Sequence, residues 1–136
     1  MSDLLFVYGT LRKGNQNAMT KYLGENAEFI TEGWFQGRMF HITYYPGVVT
    51  SKSDSDRVYG EIYRLHDPVT MLKVLDDYEE CAQQHIQPAE YKRSYVSITG
   101  INGKRYDTVW IYLYQWSVED KAQIKSGDFM QQSQLN

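Results

Sequence analysis

The stretch Leu4-Leu5-Phe6-Val7-Tyr8-Gly9 near the start of the chain decides what fold to expect. Its apolar run is continuous rather than alternating, which is typical of a strand buried on both faces, so we expect it in the middle of a sheet. With Thr10-Leu11-Arg12 after the glycine, successive backbone N–H groups could point at one spot and bind a carboxylate or phosphate. A tight turn that needs Gly9 only for its backbone explains the same residues equally well.

The glycine spacing of this loop is similar to that of a nucleotide-binding P-loop, but the residues that would hold the nucleotide are missing. Gly9 and Gly14 have the required spacing, whereas Asn15 and Gln16 stand where the Lys and the Ser or Thr belong. That lysine contacts the phosphates, and the hydroxyl group binds Mg²⁺. The sequence therefore argues against nucleotide binding.

Local patterns predict the elements that surround this first strand. Helices are expected at 17–23, ended by Gly24, and from Asp67, an N-cap followed by Pro68, to about residue 80. Strands are expected at 29–35, 37–43, 57–65, 91–99 and 104–115. Tyr44-Tyr45-Pro46-Gly47 predicts a turn, residues 50–56 a polar loop, 83–90 an irregular connector, and Asn102-Gly103 a hairpin turn. This order favours a single α+β domain, 1–136, with a mixed sheet curled into a partial barrel and a polar tail from about residue 117.

The composition narrows the classes of partner and the compartment. The 136 residues include 14 basic and 17 acidic side chains, a net charge of −3, so there is no general field to attract nucleic acid or anionic lipid. The apolar run after Met1-Ser2-Asp3 is too short for a signal peptide or a membrane span. Cys81 is the single cysteine, and no Asn-x-Ser/Thr acceptor occurs. We therefore expect a cytoplasmic protein that binds neither nucleic acid nor membrane.

Cysteine and histidine give little support for a metal site. Cys81 and His85 are spaced four apart, but His41 and His66 fall on separate predicted segments, and no second pair of ligands is evident. If Cys81 were a nucleophile with His85 as its base, the chain between them would need a special turn. No third group is apparent to orient the histidine. We predict no metal.

The second helix carries the most informative spacing in the chain. On a helical wheel Glu79 falls on the apolar face, because it follows Leu75 by four residues and Leu72 by seven. The same wheel places further apolar residues on that face and polar ones on the opposite side: Met71, Val74 and Tyr78, against Lys73, Asp76, Asp77 and Glu80. A carboxylate held away from water at a helix C-terminus has a raised pKa, as a general acid/base near neutral pH requires. The alternative is that Glu79 turns to solvent or pairs with Arg93.

Several segments together resemble the gamma-glutamylcyclotransferase-like family, and most closely its gamma-glutamylamine cyclotransferase branch. The resemblance covers roughly residues 4–114, and the segments occur in order at spacings similar to those of the family. They are Phe6-Val7-Tyr8-Gly9-Thr10-Leu11-Arg12-Lys13-Gly14, Tyr45-Pro46-Gly47-Val48-Val49, Val58-Tyr59-Gly60-Glu61-Ile62-Tyr63, Leu75-Asp76-Asp77-Tyr78-Glu79 and Tyr91-Lys92-Arg93.

The resemblance implies a small mixed β-barrel with flanking helices and a cofactor-independent reaction. The loop amides of Gly9, Thr10 and Leu11 would hold the α-carboxylate of a gamma-glutamyl substrate beside Glu79. The α-amino group would then attack the side-chain amide, close 5-oxoproline and release an amine, while Glu79 moves the proton. Candidates for the pocket walls and for hydroxyl contacts are Tyr8, Tyr45 and Tyr91. Arg12 would either attract the carboxylate or brace the loop, and bracing is the role we expect.

Two other interpretations remain open from the sequence. A noncatalytic protein on the same fold could bind a small carboxylate, although it would need the loop and not an inward carboxylate, which is costly when buried without a partner. An interaction scaffold that uses its aromatic strands has no support beyond composition. The sequence leaves the leaving amine and the oligomeric state open.

Overall fold

The computed structural model describes residues 2–79 and 89–130, and this part of the chain forms six strands and two helices. In chain order they are β1 (Leu4–Val7), α1 (Ala18–Asn26), β2 (Ala27–His41), β3 (Pro46–Thr50), β4 (Arg57–Leu65), α2 (Pro68–Tyr78), β5 (Tyr91–Gly100) and β6 (Arg105–Tyr114). No helix among the described residues is long and apolar enough to cross a bilayer.

Five of the strands close into a barrel in the order β2, β4, β1, β6, β5 and back to β2. The closing contact pairs Gly33 with Gly100 and Trp34 with Thr99. β1 and β6 run parallel and the other neighbours antiparallel, so the sheet is mixed. The predicted α+β fold, a small mixed β-barrel with flanking helices, is confirmed.

β1 lies between β4 and β6, as its continuous apolar run predicts. Leu5 and Val7 belong to the apolar cluster that both helices join, and so cover the outside of the barrel. Phe6 and Tyr8 belong to the second cluster, to which no residue of α1 or α2 contributes and which fills the interior. Because successive side chains of a strand point to opposite faces, a strand covered on both sides must be apolar throughout.

β2 is one long strand, so the prediction of separate strands at 29–35 and 37–43 is wrong. It pairs with β4 as far as Gln36 and with β3 from Gly37 onward. The predicted break therefore coincides with the position where the strand changes partner without ending.

The turn expected at 44–47 is shifted, because Pro46 and Gly47 already belong to β3. The chain reverses through a backbone hydrogen bond of 3.1 Å from the Ile42 amide to the Tyr45 carbonyl. Pro46 is tolerated in the ladder because it is the first residue of its strand, where its missing N–H matters least.

The helices begin as predicted, but the first does not end at Gly24. Asn17 caps α1 by accepting a hydrogen bond of 2.8 Å from the Thr20 amide, and the helix continues to Asn26. Asp67 caps α2 with Pro68 in the first turn, and Glu79 is its C-cap. α2 packs against the barrel through Met71, Leu72 and Leu75, whereas Val74 and Tyr78, predicted on the same face, are 38% and 44% exposed.

Part of the C-terminal segment predicted to be a polar tail packs on the barrel. The Ala122 carbonyl accepts a hydrogen bond of 2.8 Å from the His41 amide, and the Ile124 amide donates one of 2.8 Å to Met39. Ile124 is consequently buried. Residues 131–136 lie outside the described residues. The predicted hairpin is confirmed, with Gly103 at a φ of 84°, which favours glycine.

Candidate active site

A cavity of about 240 Å³ opens beside the end of β1. Its lining includes every residue that the sequence singled out as a site residue, namely Tyr8, Gly9, Thr10, Leu11, Tyr45, Glu79 and Tyr91. The other lining residues are Phe6, Val7, Tyr44, Pro46, Tyr78, Glu90 and Tyr112. Residues distant in sequence thus meet at one concave surface, the usual form of a small-molecule site.

The carbonyl groups of the loop after β1 are held by the protein itself. The Gly9 carbonyl accepts hydrogen bonds from the Arg12 amide at 3.0 Å and from the Asn15 side chain at 3.2 Å. The Thr10 carbonyl accepts from the side chains of Asn17 and Thr20, at 2.8 and 2.9 Å. With their carbonyls fixed, Gly9 and Thr10 cannot turn freely.

The amides of the same loop make no hydrogen bond to the described part of the protein. Within residues 2–79 and 89–130, no hydrogen bond is donated by the backbone N–H of Gly9, Thr10 or Leu11. These residues line the cavity, and three successive amides of this kind form a site suited to an anion. This arrangement is what the anion-site interpretation of the loop requires.

Gly9 also lets β3 approach the loop closely. A Cβ atom at this position would lie 2.7 Å from Cγ of Pro46. Such a contact is well inside van der Waals distance, so any larger residue would push the loop and β3 apart.

Arg12 braces the loop from behind and is not part of the cavity lining. Its guanidinium binds Glu61 at 3.2 Å and Asp128 at 2.9 Å. Glu61, only 2% exposed, also accepts hydrogen bonds from the Lys13 amide at 2.9 Å and the Tyr63 hydroxyl at 3.0 Å. A buried carboxylate with this many donors is satisfied, which is the condition for a stable buried pair. Arg12 thus has the bracing role that we expect from the sequence.

Glu79 lies at the end of α2, and its amide donates a hydrogen bond of 2.9 Å to the Leu75 carbonyl. The residue as a whole is partly buried, but its carboxyl group is well shielded from water. Burial first, and the charge of Glu90 second, raise the pKa of Glu79 from 4.5 to about 7. No ion pair or side-chain hydrogen bond to Glu79 occurs within the described ranges, so nothing there offsets this desolvation.

The alternative in which Glu79 pairs with Arg93 is wrong, because Arg93 binds Asp76. Its Nε and Nη2 atoms donate hydrogen bonds of 2.7 and 3.1 Å to the two oxygens of Asp76. The Tyr112 hydroxyl donates a third, at 2.7 Å. Asp76, predicted to face solvent, is therefore half-buried and anchors α2 to β5 and β6. Glu80, predicted on the same solvated side, lies outside the described residues.

Two buried tyrosines form the inner wall. The Tyr8 hydroxyl donates a hydrogen bond of 2.7 Å to the Tyr112 carbonyl, and the Tyr91 hydroxyl donates one of 2.8 Å to the Pro46 carbonyl. Burial is the main cause that raises the pKa of both, and the charge of Glu79 adds to it. Both hydroxyls therefore stay protonated at neutral pH, and the Tyr91 oxygen keeps a lone pair for a ligand, whereas the Tyr8 oxygen also receives a hydrogen bond from the Val48 backbone.

Glu90 is a cavity residue that the sequence does not single out. Its Oε2 atom accepts a hydrogen bond of 2.7 Å from the Tyr45 hydroxyl, and burial together with this carboxylate raises the pKa of Tyr45. Glu90 directly precedes β5, where no periodic pattern identifies its direction. The one available signal was its position at the end of the predicted connector.

The described residues contain no group of three or more His, Cys, Asp or Glu side chains arranged to hold a metal ion. Cys81 and His85, the pair considered from the sequence as ligands or as nucleophile and base, lie outside the described residues.

Comparison with known proteins gives a consistent result. The family model described as "Gamma-glutamyl cyclotransferase, AIG2-like" matches residues 5–131. A Vibrio cholerae protein named provisionally as a gamma-glutamylcyclotransferase is 31% identical over 136 residues, which cover 96% of this chain and 98% of the relative. The gamma-glutamylaminecyclotransferase A of Danio rerio is 31% identical over 128 residues, covering 85% of this chain and 70% of the relative.

Solved structures agree with these matches. YkqA from Bacillus subtilis superposes with a TM-score of 0.72 at 27% identity, and the match covers 99% of this chain and 42% of YkqA. A mouse AIG2-like protein superposes with a TM-score of 0.60 at 25% identity, over 85% of this chain and 77% of the mouse chain. The whole described fold is thus found in other proteins.

Proposed function

Because this chain belongs to the gamma-glutamyl cyclotransferase, AIG2-like family, we propose that it is an enzyme that cyclises a gamma-glutamyl amine or peptide to 5-oxoproline and releases the amine. The observation that carries this proposal is the Glu79 carboxyl, whose pKa near 7 suits proton transfer, in one cavity with the amides of Gly9, Thr10 and Leu11. We propose that the reaction takes place in the cytoplasm on a small-molecule substrate, without a cofactor.

The loop amides bind the α-carboxylate of the substrate. Three N–H donors on a backbone whose carbonyls are already bonded cost little reorganisation when the anion arrives. The γ-amide then extends past Glu79 toward the mouth of the cavity. In this pose Tyr8 and Tyr91 form the inner wall, and the hydroxyl oxygen of Tyr91 is available to the α-ammonium group.

Glu79 as a carboxylate takes one proton from the α-ammonium group. The freed amine attacks the γ-carbonyl carbon, a new C–N bond closes the five-membered ring, and the oxygen becomes an oxyanion. When the carbonyl reforms, the bond to the leaving nitrogen breaks and Glu79 returns its proton to that nitrogen. The ring nitrogen still carries a second proton of the former ammonium group, and Glu79 takes this proton and passes it to the departing amine, which is released in its protonated form. The products are 5-oxoproline and a free amine, with no water consumed. A shuttle of this kind is typically worth about 10²- to 10⁴-fold in rate.

Confinement of the substrate in the cavity should also increase the rate, independently of the proton transfer by Glu79. An extended gamma-glutamyl unit must bend before its amine reaches its own side-chain carbonyl. Fixing the carboxylate at one end of the cavity and the amide beside Glu79 favours the bent conformer before the reaction begins, so less entropy is lost in the transition state.

The test is release of 5-oxoproline from a panel of gamma-glutamyl amines and peptides. We expect turnover of at least one member, and a loss of about 10²-fold or more for Glu79→Gln, with circular dichroism unchanged. Glu25→Gln is the matched control: it removes a carboxylate from an exposed position on α1 and should retain wild-type activity. If no compound is turned over, but one binds to wild-type and Glu79→Gln proteins equally well, the protein is a carboxylate-binding protein instead.

A further inference from the structure

The cavity contains two carboxylates and no cationic side chain among its described lining. Glu79 and Glu90 line it together, and the other polar side chains of the lining belong to Thr10 and to tyrosines. Within the described residues Glu90 makes no ion pair, and its side-chain contact is the 2.7 Å hydrogen bond from Tyr45. The cavity is therefore negative, and a ligand that carries positive charge lowers its energy.

The tyrosines add acceptors rather than donors. Tyr8, Tyr45 and Tyr91 each donate the hydroxyl proton to a protein acceptor, so none of them offers a donor to a ligand. The oxygens of Tyr8 and Tyr45 also receive hydrogen bonds from the Val48 backbone and the Thr43 side chain, so the Tyr91 oxygen is the acceptor that remains most available. Donors are supplied by the loop amides at the inner end. The wall thus matches a ligand with one anionic end and several N–H groups elsewhere.

The tyrosines of the lining become more exposed from the inner end of the cavity to its mouth. Tyr8 and Tyr91 are 8% and 4% exposed, whereas Tyr44 and Tyr78 at the mouth are 84% and 44% exposed. Glu90 is intermediate and is held by Tyr45, whose ring packs edge-on against Tyr44 with centroids 5.1 Å apart. Glu90 therefore belongs to the outer part of the cavity.

We propose that Glu90 is a specificity-determining residue that selects gamma-glutamyl amides whose leaving amine carries a second, cationic group, over those whose leaving group carries a carboxylate. The inference rests on the proposed function, which puts the gamma-glutamyl half at the inner end and the leaving amine toward the mouth. The loop amides offset the α-carboxylate and Glu79 offsets the α-ammonium, so the charge of Glu90 still requires a partner. A distal ammonium supplies it, and the exposed faces of Tyr44 and Tyr78 favour the same cation.

Three substrates of matched length isolate this effect: the gamma-glutamyl amides of n-pentylamine, 1,4-diaminobutane and gamma-aminobutyric acid. They differ only in a terminal group that is neutral, cationic or anionic. We expect kcat/KM of the wild-type protein to fall by about tenfold at each step from cationic to neutral to anionic, the effect of one charge pair in partly solvated surroundings. The three kcat/KM values are compared within each variant. A change in the chemical step that affects all three substrates equally therefore leaves their ranking unchanged.

Glu90→Gln keeps the size and polarity of the side chain and removes its charge. It should bring the three kcat/KM values to within about threefold of one another, mainly by raising kcat/KM for the anionic substrate relative to the others. Tyr45→Phe, which releases Glu90 from its hydrogen bond, should weaken the ranking partially. Glu32→Gln changes the net charge equally at an exposed position on β2 and should leave the ranking intact.

The outcomes separate this inference from the proposed function. Turnover of all three substrates at similar kcat/KM by the wild-type protein, or a ranking that survives in Glu90→Gln, overturns the role of Glu90 and leaves the cyclotransferase activity standing. If Glu90→Gln does not fold, the role of Glu90 is tested by the wild-type ranking and by Tyr45→Phe. A ranking that is as strong in Tyr45→Phe as in the wild-type protein then overturns it. If no substrate is turned over, the proposed function fails. The same ranking is then read from calorimetric affinities of the three compounds, and equal affinities overturn the charge selection as well.

Discussion

Arg93 on β5 binds Asp76 on α2 through two hydrogen bonds, 2.7 and 3.1 Å long, between the guanidinium and the carboxylate. The guanidinium also lies over the ring of Trp110, with its central carbon 4.1 Å from the centroid. Asp76 stands three residues before Glu79, so this contact fixes the last turn of α2 against the barrel directly before the candidate catalytic carboxylate. A two-point contact resists both sliding and rotation of the helix end, which a single bond would not.

Replacing Asp76 should therefore impair activity without touching the cavity. We expect Asp76→Ala to lower the free energy of unfolding by about 1–3 kcal/mol, because it removes the acceptor of three hydrogen bonds that come from Arg93 on β5 and Tyr112 on β6. Glu79 would then be held less firmly, and kcat for 5-oxoproline release should fall more than KM rises. Urea unfolding and steady-state kinetics measure the two effects. Lys73→Ala, at an exposed position of the same helix, is the control; equal losses in both variants would contradict a positioning role for Asp76.

The pH dependence of the rate should report the ionisation of Glu79. Its carboxylate form is needed to accept the proton, so kcat/KM should rise with pH through a midpoint at about 7. The other titratable groups that line the cavity with Glu79 are Glu90 before β5 and six tyrosines, namely Tyr8, Tyr44, Tyr45, Tyr78, Tyr91 and Tyr112. Burial raises the pKa of Tyr8, Tyr45 and Tyr91, so they add no step near neutral pH. Because Glu90 helps to raise the pKa of Glu79, Glu90→Gln should move the midpoint to lower pH, and an unmoved midpoint would refute this coupling.

The sequence predicted best what depends on neighbours along the chain. The run from Leu4 to Tyr8 is apolar because the barrel and the helices cover its two sides, and that requirement is visible without knowing which elements do the covering. Glu79 was found because its register with Leu72 and Leu75 is local to one helix. The α1 boundary was missed because a glycine favours a helix end only when the chain turns there, and at Gly24 the helix continues into β2.

The features that could not be predicted from the sequence depend on contacts between residues far apart along the chain. A helical wheel assigns Asp76 to water because it measures only the apolar face, and cannot know that Arg93 and Tyr112 reach it from β5 and β6. Glu90 is a similar case, since its direction depends on a hydrogen bond from Tyr45, on the other side of the cavity. β3 was missed because Pro46 and Gly47 are common in turns, and its pairing with β2 is what keeps it extended.

The raised pKa of Glu79 has a consequence for stability that does not require activity. An unfolded glutamate has a pKa of about 4.3, so between there and about 7 the folded protein binds more protons than the unfolded chain. The wild-type protein should lose stability as pH rises through this window, while Glu79→Gln avoids that loss. We expect the two proteins to be about equally stable near pH 4.5, and Glu79→Gln to be more stable by about 1–3 kcal/mol at pH 8. Urea unfolding at both pH values measures this difference in stability. Glu25→Gln should show a difference that does not change with pH, and a constant difference for Glu79→Gln would mean that its carboxyl is solvated.

The close approach of Gly9 to Pro46 gives a test of the loop that is independent of charge. In Gly9→Ala the new Cβ would meet Cγ of Pro46 at 2.7 Å and Cδ at 3.0 Å, and both atoms belong to a rigid ring. The loop must therefore shift, which should cost about 1–3 kcal/mol of stability and displace the amides that we expect to hold the α-carboxylate. KM should rise as a result, and thermal unfolding together with kinetics would show both effects. Gly24→Ala is the matched control, because its Cβ meets nothing within 4 Å in the last turn of α1, where alanine should stabilise the helix by up to about 0.5–1 kcal/mol. A Gly9→Ala protein with unchanged KM would show that the position of this loop does not govern substrate binding.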